Sequence, residues 1–280
     1  MKLHDASDPT MKYPDGITYW AKVNEIHYWS HRTGVDIHHG PGFLPWHREL
    51  LNRLEKQLQQ ADKLLGNDGK IMLHYWDWTT DPRGPPKNLF IPDFMGSPYP
   101  PVVGQPFADF ESTQPGHQFI WRNVNNPDPV GNPEAPGPHD PGAPGVSSDD
   151  ELVAHDTYFD FRTHLEQDAH DPAHVYLGGG MGIEHYAFAD CFILIMHSNV
   201  DRLWAKWQTT PGKDWRLSPN TVYGIEGNNA PLTSNIQPWA GDFPATDLRL
   251  RPWAPPENWS EIKTYKDKSI VIPPLYDTNG

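Results

Sequence analysis

Cysteine is almost missing from this chain: its 280 residues include one, Cys191. No disulfide can form within it, so cysteine usage points to neither an oxidising nor a reducing compartment. Zinc or iron–sulfur sites built on thiolates are excluded too. Any metal must be held by histidine and carboxylate. Long apolar runs are also lacking. No stretch reaches the roughly 18 apolar residues of a membrane-spanning helix. The opening MKLHDASDPTMKYPDG has no apolar signal core. The expected location is the cytoplasm by default, or outside the cell if a leader has been trimmed. Basic residues are scarce: 22 Lys and Arg against 36 Asp and Glu give a formal charge of −14. Nucleic acid and anionic membrane surfaces would be repelled, so neither is expected as a partner.

Aromatic residues, by contrast, are plentiful at 12%, with 12 Trp. That density belongs to a packed globule. Residues 17–31 carry Trp20, Val23 and His27 at helical spacing. Residues 45–65 predict a stronger helix: Pro45 suits its first turn, Leu50, Leu51, Leu54, Leu58, Ala61 and Leu65 form one stripe, and Gly66 stops it. Residues 71–78, IMLHYWDW, read as a strand or extended segment. Residues 82–146 are rich in Pro, Gly and Asn and predict long loop, ordered by Phe107, Phe110, Phe119 and Trp121. Ser148 and Glu151 form a capping box opening a helical region to about Glu166. A short helix follows from His170, then a GGGMG turn, then a buried helix over 189–208. The expected fold is mainly α: an antiparallel four-helix bundle core with long irregular loops and a few short strands. A single domain over 1–280 is expected, with its core over 17–210 and an irregular covering tail over 211–280.

The 15 histidines sort by element. His27 and His47 fall on the first two helices. His170 and His174 are four apart and share a helical face. His197 lies on the last helix, with Asp201 one turn on. A bundle that turns imidazoles inward builds a metal pocket in its core. Spacing alone leaves His27 and His31 as alternatives, and likewise His38 and His39. Nitrogen ligands without thiolate suit zinc, copper, iron or nickel. Three His per ion leave a coordination position open. Two such triplets facing each other would hold two ions and a small molecule, with O2 between two coppers the obvious candidate. Carboxylate-bridged di-iron is disfavoured because its Glu-x-x-His pairs are missing.

These residues resemble the type-3 dicopper family: tyrosinases, catechol oxidases and, more distantly, hemocyanins. His38 and His47 have eight residues between them, and His47 lies within an unbroken FLPWHR at 43–48. Glu55 falls where the family keeps a helical Glu, and YWDW at 75–78 matches the segment beyond it, with His74 in place of Pro. HDPAH, GGGMG, Asp190 and HSNVDRLW follow in family order. The resemblance covers about residues 17–210. It implies a first copper on His27, His38 and His47 and a second on His170, His174 and His197, with O2 as co-substrate. The Gly–Pro bend would aim His38 at the ion held by His47.

The resemblance further implies a copper-dependent polyphenol oxidase that hydroxylates monophenols to catechols and oxidises o-diphenols to o-quinones. Glu166 matches an acid that holds a water near the second copper. Asp171 stands where many tyrosinases have Asn, and the carboxylate pair would help deprotonate an incoming phenol. Asp201 would hydrogen-bond behind the ligands, with Arg48 or Arg202 as partner. Glu184 falls where plant catechol oxidases carry a bulky gate residue, and an acid there would favour amine-bearing phenols. The sequence departs from the family at Met196, where members often have a second His. Cys191 lies on the wrong helix for the family's thioether, so none is expected, and no large C-terminal shielding domain is expected either. Partners expected are small phenols and a copper-delivery protein. The alternatives are a catechol oxidase or o-aminophenol oxidase with little monophenol activity, a hemocyanin-like O2 carrier, and a zinc hydrolase using one His triplet.

Overall fold

The structure, a computed structural model, describes residues 20, 23, 24, 27, 37–79, 88–98, 120–124, 147–183, 186–218, 220–228, 263–265 and 268–270. They fall into two compact units, one within Met1–Leu73 and Asn228–Gly280, the other within His74–Gly227. The fold is mainly α. Among the described residues the strands are a short antiparallel pair, β1 (Lys263–Tyr265) and β2 (Lys268–Ile270), with Thr264 opposite Ser269. No helix among the described residues is long and apolar enough to cross a membrane. Phe107, Phe110, Phe119, His31 and Glu184 lie outside the described residues.

In the first unit, Trp20, Val23, Asn24 and His27 are helical and buried. Their spacing of three and four residues puts them on one face. Helix α1 (Phe43–Leu64) begins two residues earlier than its sequence predicts, because a turn donates Phe43 N–H to the Gly40 carbonyl at 3.1 Å. Leu50 and Leu54 are fully buried, each contributing on the order of 2 kcal/mol. Leu65 was expected on this stripe and is 57% exposed. The helix ends one residue before it, and Gly66 takes the left-handed φ of 87° that lets the chain turn away. Asp62 closes that end by accepting from Asn67 Nδ2 and the Gly69 amide. Glu55 accepts from the Leu73 amide at 3.0 Å, which pins the segment beyond the turn back onto α1.

The second unit opens with α2 (Asp149–Ala154) and its capping box at Ser148 and Glu151. The helical region does not run unbroken to Glu166. It breaks at 155–157 and restarts as α3 (Tyr158–Leu165), where the Thr157 hydroxyl accepts from the Asp160 amide. A π-helical turn, Glu166–His170, joins α3 to α4 (Asp171–Leu177), whose first turn carries Pro172. The turn at Gly178 passes into a 3₁₀ segment, Gly179–Gly182. Helix α5 (Phe192–Gln208) is buried continuously from Phe192 to His197, as an apolar first half requires. The segment at 74–78 is extended without strand pairing. It docks on α5 through the Trp76 amide, which donates to the Ile195 carbonyl at 2.8 Å.

Two buried ion pairs give this unit long-range anchors. Arg122 meets Asp190, and its guanidinium also reaches the Met95 carbonyl and lies over the Phe90 ring. Burial alone would lower the Arg122 pKa, but the Asp190 carboxylate outweighs it and raises it. Arg162 on α3 pairs with Glu226 of a 3₁₀ turn, Gly224–Glu226. Neither charge is left buried alone, which is the condition for a buried pair to be tolerated.

Candidate metal centre

The first unit gathers His27, His38 and His47. One ligand atom from each lies within 4.8 Å of the others. Ring centroids are separated by 5.0 Å (His27–His38), 5.2 Å (His38–His47) and 5.7 Å (His27–His47). Three kinds of local structure supply them: a helical face, a turn and the first coil of α1. The His47 Nδ1 lies 2.8 Å from the Phe43 carbonyl. A carbonyl only accepts, so Nδ1 carries the ring proton and Nε2 keeps its lone pair. Trp46 and Phe43 pack edge-on against the His47 ring, both at 5.0 Å. The backbone at His39 has φ 58°, the one positive value at a non-glycine among the described residues. That left-handed turn directs His38 to the triad, at a cost of about 1 kcal/mol.

The second unit gathers His170, His174 and His197 in the same way. Here the donor atoms are explicit. Nε2 of His170 lies 3.0 Å from Nε2 of His174 and 3.2 Å from Nε2 of His197. The Nδ1 atoms are taken: His174 by the Met181 carbonyl at 2.6 Å, His170 by Asp171 Oδ1 at 2.9 Å. Both oxygens accept only, so the His170 and His174 Nε2 atoms present lone pairs to each other. Two lone pairs that close repel unless a cation lies between them. Two nitrogens on one tetrahedral ion, each at the usual imidazole distance, stand roughly 3.3 Å apart. The triad therefore fits an ion, and its all-nitrogen donor set suits copper among the late first-row metals.

Backbone packing explains how the second triad is held. Gly180 N–H donates to the Trp121 carbonyl at 2.8 Å, and Asn123 N–H to the Leu177 carbonyl at 3.2 Å. Gly179 has φ 57°, and a Cβ there would sit 2.2 Å from the Trp121 carbonyl oxygen. Only glycine permits this approach. It brings the Met181 carbonyl onto His174. The sequence marked GGGMG as a turn but gave no sign of the 121–123 segment lying against it. Phe188, fully buried, packs 5.6 Å from the His197 ring and was likewise not anticipated.

The remaining expected site residues separate. Asp171 meets His170 directly and is 40% exposed, while Glu166 is buried at the head of the π turn. Asp201 is half-buried on α5. Arg202, offered as its partner, pairs instead with Asp149 at 2.6 Å, binds Asn199 and lies over the Tyr75 ring. Arg48 sits on α1 one residue after His47 and is half-buried. Burial and the neighbouring Asp190 carboxylate push the Cys191 thiol well up, so it stays protonated.

Residues 15–210 match the common central domain of tyrosinase. A tyrosinase of Streptomyces antibioticus is 30% identical over 236 residues, covering 78% of each chain. A grixazone synthase of Streptomyces griseus subsp. griseus is 28% identical over 270 residues, covering 80% of this chain and 83% of that one. The structure of a polyphenol oxidase from Thermothelomyces thermophila superposes with a TM-score of 0.54 at 18% identity, over 78% of this chain and 68% of that one.

Proposed function

The chain belongs to the tyrosinase family of dinuclear copper oxidoreductases that use O2, and from that premise we propose that it both hydroxylates monophenols to catechols and oxidises o-diphenols to o-quinones. Phenol oxidation is the family's chemistry; the pairing of the two activities is our reading. The observation that carries the metal chemistry is the convergence of Nε2 atoms at 3.0 and 3.2 Å in the second triad; the pairing of activities rests on the likeness to a tyrosinase. We assign one ion to His27, His38 and His47 and the other to His170, His174 and His197.

Bound copper supplies the O2 binding and the electron transfer. The protein's own residues orient and exclude. The Phe43 and Met181 carbonyls and Asp171 fix the tautomers of His47, His174 and His170, so that each offers Nε2. Buried Phe43, Trp46 and Phe188 keep water from the ligand rings. Asp171 holds the His170 Nδ1 proton and, with Glu166, takes up the proton of an incoming phenol. Glu184 draws amine-bearing phenols by charge.

An initial-rate panel on matched monophenols, o-diphenols and o-aminophenols tests the reading, with coloured quinone as the signal. Activity on both phenol classes is expected. Activity on diphenols or aminophenols alone would reduce the chain to a catechol or aminophenol oxidase. Asp171→Ala is expected to slow monophenols more than diphenols, and rates unchanged on both would discard its proton role. Glu184→Gln that left the amine preference unaltered would discard the gate.

A further inference from the structure

We propose that His39 is a docking ligand for arriving copper, holding the ion at the rim of the first triad and passing it to His38. The inference rests on the assignment of His27, His38 and His47 as ligands. His27 and His47 are each 2% exposed, so solvent meets this triad at His38, which is half-buried. His39 is exposed beside it. Its ring centroid lies 6.4 Å from that of His38, little more than the 5.0 to 5.7 Å within the triad.

The backbone adds a second observation. His39 takes φ 58° next to Gly40. Glycine or asparagine would hold that conformation with less strain. The same turn that aims half-buried His38 at the triad leaves the next imidazole, His39, exposed at its rim. Imidazole binds copper readily. The transfer is a ligand exchange: the bond from His39 to the ion breaks as the bond from His38 forms, and the ion keeps its oxidation state.

The test follows copper uptake. Metal-free protein is mixed anaerobically with cuprous ion, uptake is stopped at intervals with a chelator, and retained copper is counted. A His174→Ala background disables the second triad and isolates the first. His39→Asn and His39→Gly both accommodate the positive φ. Each is expected to reach the same final copper content as its parent about tenfold more slowly. Uptake at the parent rate in both variants would overturn the proposal. Slowing in only one of them would assign the effect to the turn and overturn it as well. A parent that retains no copper would remove the ligand assignment itself, and this inference with it.

Discussion

Arg122 and Asp190 meet across 68 positions of chain, with Nε to Oδ2 at 2.5 Å and the second guanidinium nitrogen to Oδ1 at 2.6 Å. Both side chains are out of water. Asp190 also accepts from the Phe192 amide at 3.0 Å, so the pair fastens the start of α5 to the 121–123 segment. Asp190→Asn keeps the shape and strands a buried cation. It is expected to destabilise the protein by about 3–5 kcal/mol, read from the shift in urea midpoint.

Gly179→Ala should be costly for a different reason. The added carbon meets the Trp121 carbonyl, which is backbone and cannot swing aside. A loss of about 2 kcal/mol or more is expected. Gly212→Ala is the control: its φ is 76° but nothing lies within 4 Å of the added carbon. There only conformational strain is felt, about 1 kcal/mol. Thermal melts of the two variants side by side check the difference.

Removing one imidazole should remove one ion. His174→Ala deletes a donor whose Nε2 stands 3.0 Å from that of His170. Metal analysis after copper loading is expected to give one retained ion per chain against two for the unsubstituted protein. A variant that still retains two would place the second ion elsewhere.

Acid sensitivity should trace in part to His155. Its pKa is lowered from 6.5, first by burial and then by the stacked His164 ring 4.2 Å away. The unfolded chain therefore binds this proton more readily than the folded one. The stabilisation is present above pH 6.5 and is lost as pH falls through the folded pKa. His155→Gln should flatten the fall in melting temperature just below pH 6.5. An unchanged slope would assign the acid limb to other groups.

Much of the centre was legible because local rules fix it. His170 and His174 share a face by helical period, and the FLPWHR run places His47 inward at the head of an apolar stripe. The choice of His38 over its neighbour was not legible from spacing. It depends on the left-handed turn at His39, a conformation that histidine does not advertise. The capping box at Ser148 was legible, yet the break at 155–157 was not. That break is held from elsewhere: the His155 carbonyl accepts from Trp207 Nε1 at 2.7 Å and from Arg216 at 2.9 Å. Partners 52 and 61 positions away leave no trace in a local pattern. The same holds for Arg122 with Asp190.

The π turn at Glu166–His170 winds wider than the helices on either side of it. Upstream, Phe161 and Leu165 are buried; at its end and beyond, His170 and His174 turn together into the second His triad. Taking out one residue, for instance the exposed Gln167, would let a plain α-helix run through and swing one half against the other by roughly 100°. Either the apolar pair or the imidazole pair would then point the wrong way. The exposed Gln167 thus matters more as a backbone position that keeps the two faces in phase than as a side chain.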